Sequence, residues 1–385
     1  MGAFLGGDNN RNYSREIKRR DWEKRCMHDE VILSIIVPVF NGAKYLHGCA
    51  EYLNSQTLKN YEVIFVNDGS TDNSGVLLDQ IVERNNKFKV IHKSNGGTAS
   101  TRNAGLDMAT GKYVTFLDCD DELDPAIYEK MVSIIEKQNV DMVTCGFYFK
   151  VETQSEGEKN GNVYLEKNTY PTAFYKTRDE IKEHLVEMWD SDIMSNVWNK
   201  VYRMSLIKNK KLRYRDGHVY TEDRVFNRLF LENCNSIAFT DECLYYYVRE
   251  RVGSTTEKYR DDYFSIRLKE YKEFQIHFKN MDVWNEKAKE YVCREFTERI
   301  AGCIENIFHS EEMSNGEKYQ QIAYVIHHKD VRVAVKQARC RSVKMRFFIL
   351  PIKWNWTLGT YIMGNIIYTI RKHNPVLFHK LKNNR

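Results

Sequence analysis

Five carboxylates fall within seven positions of "DCDDELD", at Asp118, Asp120, Asp121, Glu122 and Asp124, directly after the apolar run "YVTFL". Crowding acids at one strand end raises the cost of ionising each, so the arrangement anticipates a positive partner. Carboxylates at i and i+2 beyond a strand can hold a divalent cation on one side and a hydroxyl on the other. Oxygen ligands with open coordination positions suit Mg²⁺ or Mn²⁺ bridging to phosphates. The same letters also make a solvated turn whose acids cap the next helix. A second pair, Glu222 and Asp223 in "YTEDRVFN", follows Thr221 in the manner of a helix start.

Two more stretches carry candidate binding groups. "NDGSTDNS" (67–74) sets Asp68 before Gly69, which fits contact with a base or ribose and equally a tight turn with a helix cap. "NGGTASTRNAG" (95–105) is Gly-rich ahead of a helix, as a phosphate cradle would be, and its Arg102 can reach a diphosphate or pair with an acid. The stretch is neither G-x-G-x-x-G nor a P-loop, which argues against a dinucleotide or ATP site.

Positioning these groups falls to an alternating series. "VILSIIVPVF" (31–40), "YEVIFVND" (61–68), "FKVIHK" (88–93), "KYVTFLD" (112–118) and "VDMVTCGFYF" (140–149) read as strands. Helices are expected near 43–55, after Ser70 or Thr71 as a cap, over 98–109, and over 125–138 with Pro125 in the first turn. Such alternation predicts a mostly parallel sheet with helices on both faces, and ligands at the carboxyl ends of its strands. "PVFN", "NDGSTD" and "DCDDE" should therefore converge on one crevice. Residues 150–170 look like a polar loop or hairpin, and from 178 the chain turns largely helical, with "REIKRRDWEKR" near the N-terminus a further short helix.

At 385 residues the chain suits one large or two modest domains. A composition of 42% hydrophobic and 29% charged residues excludes wholesale disorder. Nine scattered cysteines without a C-x-x-C pair read as reduced thiols of a cytosolic protein, not as a disulfide frame or zinc site. The N-terminus has no signal-peptide core, and Gly6 stands where myristoylation wants Ser or Thr.

Taken in order, "LSIIVPVFNGAKYL", "VIFVNDGSTDNS", "NGGTASTRNAGLDMATGKYVTFLDCDDELDP", "VWNKVYR", "YTEDRVFN" and "YYYVRERVGSTT" resemble the family 2 glycosyltransferases of the GT-A fold, of the bacterial surface-polysaccharide type, over residues 31–256. The resemblance implies an α/β, Rossmann-like GT-A fold, mostly parallel with helices on both faces, and the pattern beyond residue 257 adds a helical C-terminal region. It implies inverting transfer of a hexosyl or N-acetylhexosaminyl group from a nucleotide-diphosphate donor, a UDP-sugar for preference, to a glycan or polyprenyl-linked hydroxyl. Val39 and Asn41 would border the nucleotide, Asp68 would hold the base, Arg102 would lie beside the nucleotide, and Asp118 would bind the ribose or sugar. Asp120 would ligate a divalent cation (Mn²⁺ or Mg²⁺), Asp223 would be the base, and Glu222 would orient the site. Thr101 departs from the Ala usual in the family. The implied organisation is a polar extension (1–30), a catalytic domain (31–256) with a nucleotide-sugar half (31–150) and an acceptor half (151–256), a helical region (257–330) and a basic, aromatic tail (331–385).

That tail carries twelve Lys and Arg and no Asp or Glu, and without it the chain has 46 basic against 53 acidic residues. "RFFILPIKWNWTLGTYIMGNIIYTI" (346–370) is interrupted by Pro351, Lys353, Asn355 and Asn365, so a membrane span is disfavoured. An interfacial segment with Trp354 and Trp356 is one reading, which would place a cytoplasmic protein on the inner face of the plasma membrane. A helical pair docked on the catalytic domain or on a second subunit is the other. Nucleic acid is disfavoured, since no readout module accompanies the charge. The competing functional readings are a degenerate transferase kept as a sugar-binding scaffold and a nucleotidyltransferase. The first predicts loss of Asp120 or Asp223, and both are present. The second expects a Gly-rich basic loop after the first strand, which "PVFNGAKYL" does not supply. An oxidoreductase lacks its glycine fingerprint.

Overall fold

The computed structural model describes residues 30–153, 162–215, 221–249 and 259–373. The helix expected in "REIKRRDWEKR" lies outside the described residues, as does the end of "YYYVRERVGSTT" from residue 250.

The uninterrupted apolar runs become strands: β1 (Leu33–Val39), β2 (Tyr61–Asp68), β3 (Phe88–Lys93) and β4 (Tyr113–Phe116). They pair in parallel in the order β3-β2-β1-β4. All of β2 and β4 and most of β1 is buried, which is why these segments show no polar alternation. The lysines of the edge strand β3 reach solvent.

Between the strands run α1 (Ala43–Asn54), α2 (Ser74–Glu83) and α3 (Gly97–Met108). A Cβ at Gly105 would sit 2.4 Å from Ile36 Cγ2, so glycine lets α3 lie directly on β1. The cap expected at Ser70 or Thr71 is not formed. Helix α2 begins at Ser74, and both hydroxyls are spent on Asn41 instead.

Beyond β4 the sheet is mixed. After β5 (Glu122–Leu123) and α4 (Ile127–Gln138) come β6 (Met142–Thr153), β7 (Asn162–Asn168), β8 (Ala173–Tyr175), α5 (Arg178–Asp190) and β9 (Lys200–Arg203). They are followed by α6 (Met204–Asn209), α7 (Glu222–Leu231) and β10 (Ile237–Arg249). Short β9 lies antiparallel between β4 and β6, β6 pairs in parallel with β10, and β5 closes the path. Antiparallel pairing of β6 and β7 forms the hairpin expected over 150–170.

The C-terminal region is helical: α8 (Tyr263–Asn280), α9 (Glu286–Phe308), α10 (Asn315–His327), α11 (Lys329–Gln337), α12 (Val343–Lys353) and α13 (Thr357–His373). Helix α9 touches α5 and all five of the other C-terminal helices, which accounts for buried residues on most of its surface. The boundary drawn at residue 330 runs through α11. The tail forms a helical pair docked on the C-terminal helical region, not the catalytic-domain or second-subunit site expected: α12 and α13 pack on each other and on α9, Phe348, Ile349 and Ile352 are buried in the core, and Tyr361, Met363, Ile367 and Tyr368 pack against it.

Helix α7 is tied to this region by charge. Arg224 pairs with Glu270 Oε1 at 2.9 Å and Glu295 Oε2 at 3.1 Å, Arg228 pairs with Glu273, and both guanidinium groups lie 4.6 Å from the Phe274 ring. Burial disfavours ionised Glu270 and Glu295, yet Arg299 and Arg224 outweigh it and hold both carboxyls down to about 2. These acids therefore stabilise the fold above their ordinary value of 4.5, and that contribution is lost as pH falls towards 2. A steep drop in Tm between pH 4.5 and 2 is expected by calorimetry. Glu270→Gln should lower Tm at pH 7 and flatten that drop; an unchanged acid slope would remove these acids as its cause.

Candidate active site

The acid turn leaves β4 and folds back on itself, Asp121 N–H donating to Asp118 O at 3.2 Å. Asp118 is partly exposed, Asp120 is exposed and Asp121 is 3% exposed. Tyr245 Oη donates to Asp121 Oδ2 at 2.5 Å and Val248 N–H to Oδ1 at 2.9 Å, which anchors the turn to β10. Burial, then the charges of Asp118 and Asp120, push the Asp121 carboxyl well above the usual range. Asp121 is thus the buried fastener of the turn, while Asp118 and Asp120 face outward.

Arg102 lies beneath, 3% exposed on α3 one turn before the glycine that seats that helix on β1. Its Nη2 donates to Asp118 Oδ1 at 3.1 Å and its Nη1 to Asp223 Oδ1. One guanidinium therefore joins the acid turn to the start of α7. Burial would discharge it, but Asp223 and Asp118 hold it more firmly protonated than usual. Its donors are directed at these two carboxylates, the acid pairing that was one of the two expectations for Arg102.

Asp223 opens α7 after Thr221, whose side chain makes no capping bond. The Asp223 side chain retains 21% exposure. Desolvation pushes its carboxyl up to about 7; Arg102 opposes this, and Glu222 and Asp118 add to it. A carboxylate titrating near neutrality is what proton abstraction from a hydroxyl requires. Glu222 is half-buried beside it, and its Oε2 is buried with no hydrogen-bond partner among the described residues.

The loops that follow β1 and β2 are clamped together. Asn41, at φ 51, accepts from Thr71 N–H at 2.8 Å, and its own N–H donates to Ser70 Oγ at 2.9 Å. Val39 is 1% exposed, so its side chain belongs to the core. Asp68 accepts from Lys93 Nζ at 2.5 Å, Gly96 N–H at 2.9 Å and Gly97 N–H at 2.8 Å. Burial opposes ionisation of Asp68, but these donors hold its carboxyl below the usual range. Thr101 adds a further side-chain hydrogen bond to the same carboxylate. A Cβ at Gly69, at φ +68, would meet Asn95 N at 2.7 Å, so the turn beside Asp68 requires glycine.

Three contributors escaped the sequence reading. Phe40, between Val39 and Asn41, is 54% exposed at this mouth; an aromatic ending an otherwise buried strand was the available signal. Tyr214 is buried, with Arg102 5.4 Å from its ring and Phe226 stacked at 4.4 Å, and no local pattern marks it. Lys200 is fully buried on β9, its Nζ donating to Ile193 O, Asn196 O and Asn199 Oδ1 at 2.6–2.7 Å. Burial pushes the Lys200 ammonium down to about 7. Asn227, one turn after Asp223, donates to Met194 O and Asn196 O of the same loop. A lysine inside the apolar "VWNKVYR" was the signal there.

Among the described residues no group of three or more His, Cys, Asp or Glu could cage a metal ion. The outward pair Asp118 and Asp120 still fits a hard cation that takes one or two carboxylates and completes its shell with phosphate oxygens and water.

Residues 34–195 match the family described as Glycosyl transferase family 2. The chain is 28% identical over 334 residues to uncharacterized glycosyltransferase EpsJ of Bacillus subtilis (strain 168), covering 85% of this chain and 93% of that one. It is 30% identical over 234 residues to glycosyltransferase GlyG of Streptococcus pneumoniae serotype 4, covering 58% of this chain and 72% of GlyG. In fold it is similar to S. aureus TarS 1–349 in complex with UDP-GlcNAc, with a TM-score of 0.61 at 19% identity over 87% of this chain and 90% of that one. The chain belongs to glycosyltransferase family 2, with the GT-A type of fold.

Proposed function

We propose that this glycosyltransferase works with inversion, moving a hexosyl or N-acetylhexosaminyl group from a UDP-sugar to a hydroxyl of a glycan or polyprenyl-linked glycan in surface-polysaccharide synthesis at the inner face of the plasma membrane. The observation that carries the reading is the Arg102 guanidinium spanning Asp118 and Asp223. It sets a carboxylate of near-neutral pKa beside the acids that would face the donor diphosphate.

In this reading Phe40 stacks on the base, Asp68 accepts the base N–H, Asn41 and the Val39 backbone border the nucleotide, and Asp118 faces the ribose or sugar. Asp120, with Asp118, would hold a Mn²⁺ or Mg²⁺ ion, which as a Lewis acid supports charge developing on the departing diphosphate. Asp223 removes the acceptor hydroxyl proton, with Glu222 orienting the site. The acceptor oxygen forms its bond to the anomeric carbon as the bond to the diphosphate breaks on the opposite face. The proton rests on Asp223 and the nucleoside diphosphate leaves. The UDP-GlcNAc complex of TarS, which shares the fold, supports trying uridine nucleotides first.

Calorimetric titration with UDP, GDP, CDP and dTDP, each with Mn²⁺ and with EDTA, tests the donor assignment. One nucleotide should bind in a metal-dependent way, and Asp120→Ala should weaken it at least ~10-fold, since losing a direct ligand costs no less than losing an outer-shell partner. Binding that ignores both metal and Asp120 overturns the metal assignment. No binding by any nucleotide would favour the sugar-binding scaffold.

A further inference from the structure

The C-terminal helical pair has two unlike faces. One packs on α9 and the core as described. The other exposes Val343 and Phe347 on α12, Trp354 and Trp356 at the corner, and Leu358, Ile362 and Ile366 on α13, each 48–68% exposed. Leu358, Ile362 and Ile366 recur at i, i+4 and i+8, so they form one continuous stripe along α13. Seven of the eighteen large apolar side chains found exposed among the described residues therefore crowd into 24 consecutive positions. Scattered surface apolars need no explanation, whereas a contiguous patch marks a contact.

The rim of this face identifies the contact. Lys336, Arg339, Arg346 and Lys353 are exposed in the same stretch of chain, Arg341 being paired with Asp190, and the sequence holds no acid after Asp330. Paired tryptophans beside cations on an apolar helix face are suited to the level of lipid headgroups, where ring and indole N–H meet apolar and wet surroundings together. No described helix is long and apolar enough to cross a membrane. A two-fold contact with another copy would set this basic rim against itself, and like-charge juxtaposition disfavours it.

We propose that α12 and α13 form a docking face for an anionic bilayer surface, lying in the interface with the exposed stripe and Trp354 inserted and the basic rim on the headgroups. The inference rests on the proposed lipid-linked acceptor only for its purpose, since vesicle binding and nucleotide binding are separate readouts. Trp356 also supports the helix corner, because its ring packs over Gly359, so the test leaves it in place.

The test is co-sedimentation of the full chain, without donor, with vesicles of phosphatidylcholine alone and of phosphatidylcholine containing phosphatidylglycerol. The wild type should partition onto anionic vesicles at least ~10-fold more than onto neutral ones, and less at 0.5 M than at 0.1 M salt, where the Debye length is about 10 Å. The triple variant Trp354→Ser, Ile362→Ser, Ile366→Ser should lose at least ~10-fold in partition, with its melting and nucleotide titration unchanged. Should that variant misfold, the wild-type preference for anionic vesicles and its salt dependence still decide. Equal or absent binding to both vesicle types overturns the proposal. So does a concentration-dependent dimer that the same substitutions dissociate, which would make a second copy the occupant.

Discussion

Replacing Asp223 with Asn is expected to lower kcat by ~10²–10⁴-fold, the range a positioned general base contributes. The amide nearly preserves the shape of the carboxylate but cannot accept the acceptor's proton, so nucleotide affinity should stay within a few-fold of wild type. A loss in kcat without a matching loss in donor binding is the signature of a group acting in the transition state. The wild-type kcat/KM should rise with pH through an acid limb near the value of about 7 to which burial pushes Asp223. That limb should be absent from the residual activity of Asp223→Asn. Full activity in this variant, or an unmoved limb, would transfer the role to another group, Glu222 being adjacent.

Arg102→Met should destabilise the protein by about 3 kcal/mol, the lower end of what removing one partner from a buried ion pair costs. The lower end applies because Asp118 and Asp223 keep 30% and 21% exposure and regain some hydration. The loss should depend on pH. Asp223 has its folded value of about 7 above the ordinary 3.8, so the native state binds more protons than the unfolded chain between those values. Its ionisation therefore erodes stability as pH rises through about 7. Without Arg102 the erosion should deepen, making the variant's deficit larger at pH 8 than at pH 5 in urea melts. Arg102→Lys should recover only part of the loss, because an ammonium cannot span two carboxylates as a planar fork does. A deficit equal at both pH values would mean that lost packing, not charge, is responsible.

Much of this was written locally. The parallel strands β1, β2 and β4 show as largely apolar, β-branched runs, since a strand buried on both faces has no solvent side to mark. The acid turn and Asp223 show as carboxylates at element ends, where side chains leave the backbone towards solvent. The mixed half was harder to read: β9 is four residues long, and its place between β4 and β6 depends on pairing with residues far away in sequence. The cap at Ser70 or Thr71 failed for a related reason, because Asn41 from another loop competes for the same hydroxyls. The tail's composition fitted either an interfacial segment or a docked pair, because apolar residues read alike in sequence whether they pack inward or stay exposed.

The amino-acid sequence by itself determined the α/β rhythm, the residue types at the strand ends and the surplus of positive charge at the C-terminus, because propensity, hydrophobic period and charge act within a few residues. Only the tertiary structure decided that Arg102 reaches Asp223 across 121 residues while also holding Asp118, that Asp121 faces inward to Tyr245, and that Lys200 is enclosed. Those outcomes depend on which groups lose water together, and desolvation is a property of the packed neighbourhood rather than of any stretch of chain.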